Sequence, residues 1–187
     1  MSYDEYYEYY NSIQRSIVQR YLAMGSDENP KHAPIIRNLL TEELIKAELT
    51  PYLPSGLQIS KGEIRKGTES TGDCDLIIYR KPVIYQYGSI AIVSAENAKA
   101  IIDIEREGSK FFKEKKMKEI EKYKRFTDKI FCVGLHGHEN SKKFREWYEK
   151  REKTQIFIFY KKPIKPNREF IIPGEFKRLV YEIQSLT

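Results

Sequence analysis

Residues 98–105, Ala98-Lys99-Ala100-Ile101-Ile102-Asp103-Ile104-Glu105, and residues 73–79, Asp73-Cys74-Asp75-Leu76-Ile77-Ile78-Tyr79, are two short apolar runs, each carrying an acid that the local pattern does not favour. Runs of this length and composition read as buried strands. Asp75 opens one apolar run, and Asp103 interrupts the other between Ile102 and Ile104. Burying a lone carboxylate is costly, so such an acid is kept neutral, paired or bound to a cation. Hard oxygen ligands converging from neighbouring strands are what Mg2+ or Mn2+ requires. Glu105 stands two residues beyond Asp103, so in a strand both side chains project from one face and three acids can converge on one metal. The alternative for each acid is an ordinary ion pair, for which nearby Lys and Arg residues supply partners.

Working outward, Tyr6, Tyr9, Tyr10, Ile13, Ile17, Tyr21 and Leu22 recur at three- and four-residue steps and predict an amphipathic helix over Asp4–Met24. A second helix is expected over Ile35–Leu49, burying Leu39, Leu40, Leu44, Ile45 and Leu49, before Pro51 and Pro54 break it. LQISKGEI, residues 57–64, reads as a strand; DLIIY (75–79) and PVIYQY (82–87) read as a hairpin. After the Asp103 strand, a charged helix is expected over Glu107–Thr127, packing through Phe111, Phe112, Met117, Ile120, Tyr123 and Phe126. A strand KIFCVGL, a helix over Ser141–Glu152, a strand QIFIFY and a closing helix over Glu175–Ile183 complete the order. The expectation is a single mixed α/β domain over residues 1–187: an N-terminal helix in 1–30, a core in 32–135, and a C-terminal strand and helices in 136–187.

Thirty-three Lys plus Arg against 27 Asp plus Glu give a formal net charge of +6, the direction expected of a protein that handles a polyanion. Cys74 and Cys132 are far apart and lie in apolar runs, so they read as buried thiols and not as a disulfide or zinc framework. No stretch has the roughly 18 consecutive apolar residues of a membrane span. The start MSYDEYYEYY lacks the basic and apolar regions of a signal peptide, so a cytoplasmic protein is expected. The abundance of Lys, Glu, Ile and Tyr, with few Met and Cys, is compatible with a thermophilic source.

Over roughly residues 32–135 the sequence resembles the PD-(D/E)xK nucleases. The residues that carry the resemblance are Gly62-Glu63-Ile64, the Ser70-Thr71-Gly72 turn, Asp75 to Tyr79, Pro82-Val83-Ile84, and Ser94 to Glu105. It implies a restriction-endonuclease-like core: a central mixed β-sheet flanked by helices, here with an N-terminal helical extension. In that family an Asp opening one strand and an acid on the next hold the metal. A Lys two residues later orients the attacking water, and a glutamate on the first core helix completes the site. Carried over, Asp75 and Asp103 are the metal ligands and Glu43 is the helix glutamate, with Glu63 a weaker candidate. This sequence departs from the pattern at Glu105, where lysine is usual. A carboxylate there cannot supply the lysine's positive charge, but it can extend the metal shell or act as a general base. Lys110 or Lys113 on the following helix could reach back with a cation.

The activity implied is Mg2+- or Mn2+-dependent phosphodiester hydrolysis, with DNA favoured over RNA and a two-fold dimer as an arrangement that would cut both strands. Lys110, Lys113 and Lys116 belong to a cationic helix that could follow a phosphate backbone. The same helix also carries Glu114, Glu119 and Glu121, as an ordinary solvated helix with internal pairs does. His32 lies just before the Glu43 helix, at the edge of the expected site; His136 and His138 are assigned to a loop or a substrate contact. Two alternatives stand beside the nuclease. One is a nucleic-acid-binding protein that keeps the fold without catalysis. The other is a nucleotidyltransferase built on Asp73-Cys74-Asp75, although the Gly-Ser pair expected before that motif is missing.

Overall fold

β-Branched and apolar runs fold into strands because their side chains pack well on a pleated surface. The computed structural model describes residues 3–24, 33–137, 154–161 and 170–187. Helices α1 (Tyr3–Ala23) and α2 (Ala33–Leu49) precede strands β1 (Leu57–Lys66), β2 (Glu69–Ser70), β3 (Cys74–Arg80), β4 (Tyr85–Tyr87), β5 (Ile90–Ser94) and β6 (Ala98–Glu107). A 3-10 turn over Gly108–Phe112 leads to α3 (Glu114–Tyr123) and β7 (Ile130–Gly137); β8 (Thr154–Lys161), β9 (Phe170–Ile171) and α4 (Glu175–Gln184) follow. Among the described residues these strands form one mixed sheet in the order β4-β5-β1-β3-β6-β7-β8-β9, with β2 paired to β1.

One face of the sheet is covered by α1, α2 and α4, which bury Ile17, Ile45 and Phe176 against Ile102, Phe131 and Phe157. The other is covered by α3, whose Ile120 and Tyr123 pack with Ile77, Ile101 and Cys132. Every residue of β7 is buried, as expected of a strand lying parallel between β6 and β8 with both faces covered. The α3 crossover joins β6 to the parallel β7, so the two acid-bearing strands β3 and β6 sit side by side in mid-sheet.

The DLIIY–PVIYQY hairpin expected from the sequence does not form. The flanks of β3 are taken by β1 and β6, while β4 pairs with β5 at the edge of the sheet. A mostly apolar, buried strand gains most between other buried strands, whereas Tyr85–Tyr87 are all exposed and suit an edge. The long helix expected over Glu107–Thr127 is also shorter, because β6 runs on to Glu107 and a 3-10 turn intervenes. In α2 the packed stripe passes through Arg37, Thr41, Leu44, Ile45 and Leu49, leaving Leu39 and Leu40 about half exposed outside it. The helix expected over Ser141–Glu152 lies outside the described residues.

One glycine is dictated by geometry. Gly62 takes a φ of 150° at a bulge in β1, where the register with β3 shifts and brings it opposite Cys74. A Cβ there would stand 1.8 Å from the Ala91 carbonyl oxygen. The close approach of β5 to β1, beside the start of the Asp75 strand, therefore needs glycine.

Candidate metal and catalytic site

Asp75 and Asp103 meet because β3 and β6 run antiparallel with Leu76 paired to Ile102. The Asp75 Oδ2 atom accepts a 2.7 Å hydrogen bond from the Ile104 backbone N–H. Asp103 is 2% exposed. Its Oδ1 accepts from Lys116 Nζ at 2.8 Å, and its Oδ2 is buried with no hydrogen-bond partner. Burial, and then the neighbouring Asp103 carboxylate, push the Asp75 carboxyl up to about 8. Burial likewise raises Asp103, to about 6, with the Lys116 ammonium as the main opposing influence. The two acids thus hold protons more tightly than exposed carboxylates do, as acids sharing a low-dielectric site must in the absence of a further cation.

Asp103 and Glu105 share one face of β6, as their spacing predicts, and Lys116 bridges them. Its Nζ is 3.4 Å from Glu105 Oε1 and 3.1 Å from Glu119 Oε2. Burial lowers the affinity of Lys116 for its proton, but Asp103 and then Glu119 more than reverse this, so it stays a cation. A cleft of about 130 Å3 opens onto this group, lined by Asp75, Glu105 and Lys116 from the sheet and α3, and by Thr41 and Glu42 from α2. A larger groove of about 1130 Å3 lies at the other end of β6, between Arg65, Lys99 and Lys129; it contains neither strand acid.

The structure redistributes several residues read from the sequence. Glu43 points outward, its side chain 56% exposed and paired with Lys46 at 3.2 Å. Glu42 enters the cleft instead, 12% exposed and 2.8 Å from Lys61 Nζ. Glu63 is held by Ser70 and Arg65 outside the cleft, and these partners keep its carboxyl below the usual range despite the opposing effect of burial. Lys116 turns inward to the acids, so it is not part of an outward cationic face. Lys110 is 3.6 Å from Glu105 and 40% exposed, while Lys113 is exposed at the start of α3. Asp73, needed by a nucleotidyltransferase motif, is 74% exposed and 3.7 Å from Lys61. His136 is a buried residue of β7 packed near Tyr160, not a loop residue. His32 and His138 lie outside the described residues.

Both inward residues had a sequence signature. Glu42 precedes Ile45 by three and Leu49 by seven, and Lys116 precedes Ile120 by four and Tyr123 by seven, the spacings of a shared helix face. Their charge made them look solvated.

Among the described residues, no three His, Cys, Asp or Glu side chains converge as a ready-made metal cluster. Mg2+ needs less, because it keeps several waters and binds through one or two carboxylates together with substrate phosphates. The adjacent Asp75 and Asp103, with one buried Asp103 oxygen lacking a partner, fit that requirement.

A mixed sheet flanked by helices, with acids on adjacent central strands, defines a restriction-endonuclease-like α/β domain. No family profile and no curated protein sequence matches the chain. Among solved structures, the cAAA-bound form of NucC from P. aeruginosa ATCC27853 superposes with a TM-score of 0.69 at 12% identity, covering 95% of this chain and 90% of that one. The cAAA-bound NucC of E. coli MS115-1 gives a TM-score of 0.68 at 12% identity, covering 95% of this chain and 89% of that one. The apo form of the latter gives 0.61 at 13% identity, covering 100% and 93%. At these identities the likeness is one of fold. Among the described residues, no helix is long and apolar enough to cross a membrane.

Proposed function

We propose that this protein is a metal-dependent nuclease that hydrolyses phosphodiester bonds of nucleic acid, with DNA as the favoured substrate. The observation that carries the reading is the Asp75–Asp103 pair, two carboxylates on adjacent strands, Asp103 with a buried oxygen lacking a partner and Asp75 on the wall of an open cleft. The likeness of fold to NucC, a PD-(D/E)xK-type nuclease, supports it.

Asp75 and Asp103 would hold Mg2+ or Mn2+, which when bound supplies a Lewis acid at the scissile phosphate and favours an ionised water. Asp75 is oriented by the Ile104 N–H. Glu42, itself positioned by Lys61, faces the same cleft and can accept a proton from, or a hydrogen bond of, a water there. Glu105 lies on the same face as Asp103 at the rim and adds a further carboxylate. The net positive charge of the chain favours a polyanionic substrate.

The absence of lysine two residues after Asp103 favours one second reading, a nucleic-acid-binding protein without catalysis. One experiment separates the two: cleavage of supercoiled plasmid, linear duplex, single-stranded DNA and RNA in Mg2+, Mn2+ or chelator. Wild type is compared with Asp75→Ala and Asp103→Ala. Because two of the NucC neighbours were solved with cAAA bound, each reaction is run with and without cAAA. Metal-dependent cutting lost in both variants is the expected result. Retained binding with no cutting under any condition would replace the nuclease with the binding protein.

A further inference from the structure

We propose that Lys116 is a catalytic residue of this site, supplying from helix α3 the positive charge that strand β6 lacks at Glu105. The inference rests on the nuclease reading and adds a group that reading does not require. A carboxylate at position 105 cannot steady an attacking hydroxide or the charge that builds on the phosphoryl oxygens. Some cation must do so, or the metal alone must suffice.

Of the lysines that follow β6, Lys110, Lys113 and Lys116 are told apart by geometry. Lys110 is 3.6 Å from Glu105 but 40% exposed, and Lys113 is exposed at the start of α3. Lys116 is 17% exposed and sits 2.8 Å from Asp103, 3.4 Å from Glu105 and 3.1 Å from Glu119. It also lines the cleft together with Asp75 and Glu42. A lysine serving only to neutralise Asp103 could stay behind that carboxylate. Lys116 also lines the wall of the cavity that a phosphate would enter.

The position follows from the helix. Lys116 is on the same face as Ile120 and Tyr123, which anchor α3 to the sheet. The backbone is therefore fixed, and the long, largely buried side chain turns inward to place its charge at the acids. Glu119 accepts hydrogen bonds from both Lys116 and the Tyr123 hydroxyl, holding the ammonium from the helix side. Glu105 and Lys116 are then exchanged roles: the acid stands in the strand slot and the cation on the neighbouring helix.

In the reaction, the oxygen of a water forms a bond to phosphorus and the bond from phosphorus to the leaving sugar oxygen breaks. The water's proton passes to a cleft carboxylate, and the leaving oxygen takes a proton from solvent, giving a phosphomonoester and an alcohol. Lys116 stays protonated throughout, donating hydrogen bonds to the attacking oxygen and to a phosphoryl oxygen.

The test compares wild type with Lys116→Met, Lys116→Arg, the double variant Glu105→Lys/Lys116→Met, and Asp75→Ala, under conditions in which wild type cuts. Mn2+ binding is followed by titration calorimetry and folding by thermal melting. Lys116→Met is expected to cut about 100-fold slower or worse, the typical loss of one transition-state donor, while binding Mn2+ at least as tightly as wild type. Lys116→Arg should retain part of the rate. The double variant should recover at least about tenfold of the loss, because lysine returns to the strand slot. Cutting by Lys116→Met within about threefold of wild type while Asp75→Ala is dead would overturn the inference and leave the nuclease reading intact. Loss of both cutting and Mn2+ binding, without recovery in the double variant, would also overturn it, making Lys116 a structural ion-pair partner. A wild type that cuts nothing under any condition overturns the nuclease reading and this inference with it.

Discussion

Asp75 on β3 accepts a 2.7 Å hydrogen bond from the backbone N–H of Ile104 on β6, so the acid of one strand is tied to the residue that follows the acid of the next. The antiparallel register brings the two carboxylates together, and this bond orients Asp75 within the pair. The bond itself favours the Asp75 carboxylate, but burial and then the charge of Asp103 outweigh it, and burial also raises Asp103, so both acids resist ionisation.

The pair imposes a direction on pH dependence. Both carboxyls have folded-state pKa values above the unfolded value of about 4. Between that value and about 8 the folded protein therefore binds more protons than the unfolded chain, and stability falls as pH rises. In chelator the wild type is expected to melt lower at about pH 8 than at about pH 5, with Asp75→Asn reducing the difference. Mn2+ should raise the melting temperature of the wild type near the upper end of this range, and that of Asp75→Asn much less. Calorimetric melting with and without metal checks this; a wild type that gains stability across the window in chelator would contradict it.

Glu42 and Glu43 are neighbours in sequence with opposite environments. Glu42→Gln is expected to slow cleavage by about tenfold or more, because it alters a carboxylate in the cleft. Glu43→Gln should leave cleavage unchanged and shift stability by less than about 0.5 kcal/mol, since it loses only an exposed ion pair. Plasmid nicking rates and urea midpoints of the two variants decide the matter, and equal losses of activity would contradict the assignment.

Gly62→Ala should be among the most damaging single-methyl changes. The added carbon would fall 1.8 Å from the Ala91 carbonyl oxygen at a φ of 150°. A loss of about 3 kcal/mol or more is expected in urea unfolding. Because the bulge sits opposite Cys74, cleavage should fall as well.

Gln14 of α1 clasps β8, α4 and the connection between β9 and α4 at once. Its side-chain amide donates to the carbonyls of Phe159 and Ile172, and its carbonyl accepts from the Phe176 N–H. Gln14→Leu strands these buried groups and is expected to cost roughly 2–4 kcal/mol in chemical denaturation. A change at exposed Ser12 on the same helix should cost less than about 0.5 kcal/mol.

Much of this was legible in the chain because it depends on local pattern. The apolar runs gave β1, β3, β6, β7 and β8, and helical spacing gave α1, α2 and α4, each within a few residues. The partner of β4 was not legible. Its pairing with β5 reflects competition among strands for the buried centre of the sheet, which no single segment encodes. Strand β5, Ile90–Ser94, is short and follows a turn, so no local pattern marks it.

The sequence by itself determined which strands carry an acid in an apolar setting, and that Asp103 and Glu105 share a face, because strand periodicity and the cost of burying charge are local properties. Only the tertiary structure decided that β3 lies beside β6, that α2 offers Glu42 and turns Glu43 away, and that Lys116 folds inward to the acids. These outcomes depend on helix rotation and strand order, which are fixed by the packing of α2 and α3 on opposite faces of the sheet. A charged residue reads the same in sequence whether its helix turns it towards water or towards a buried carboxylate.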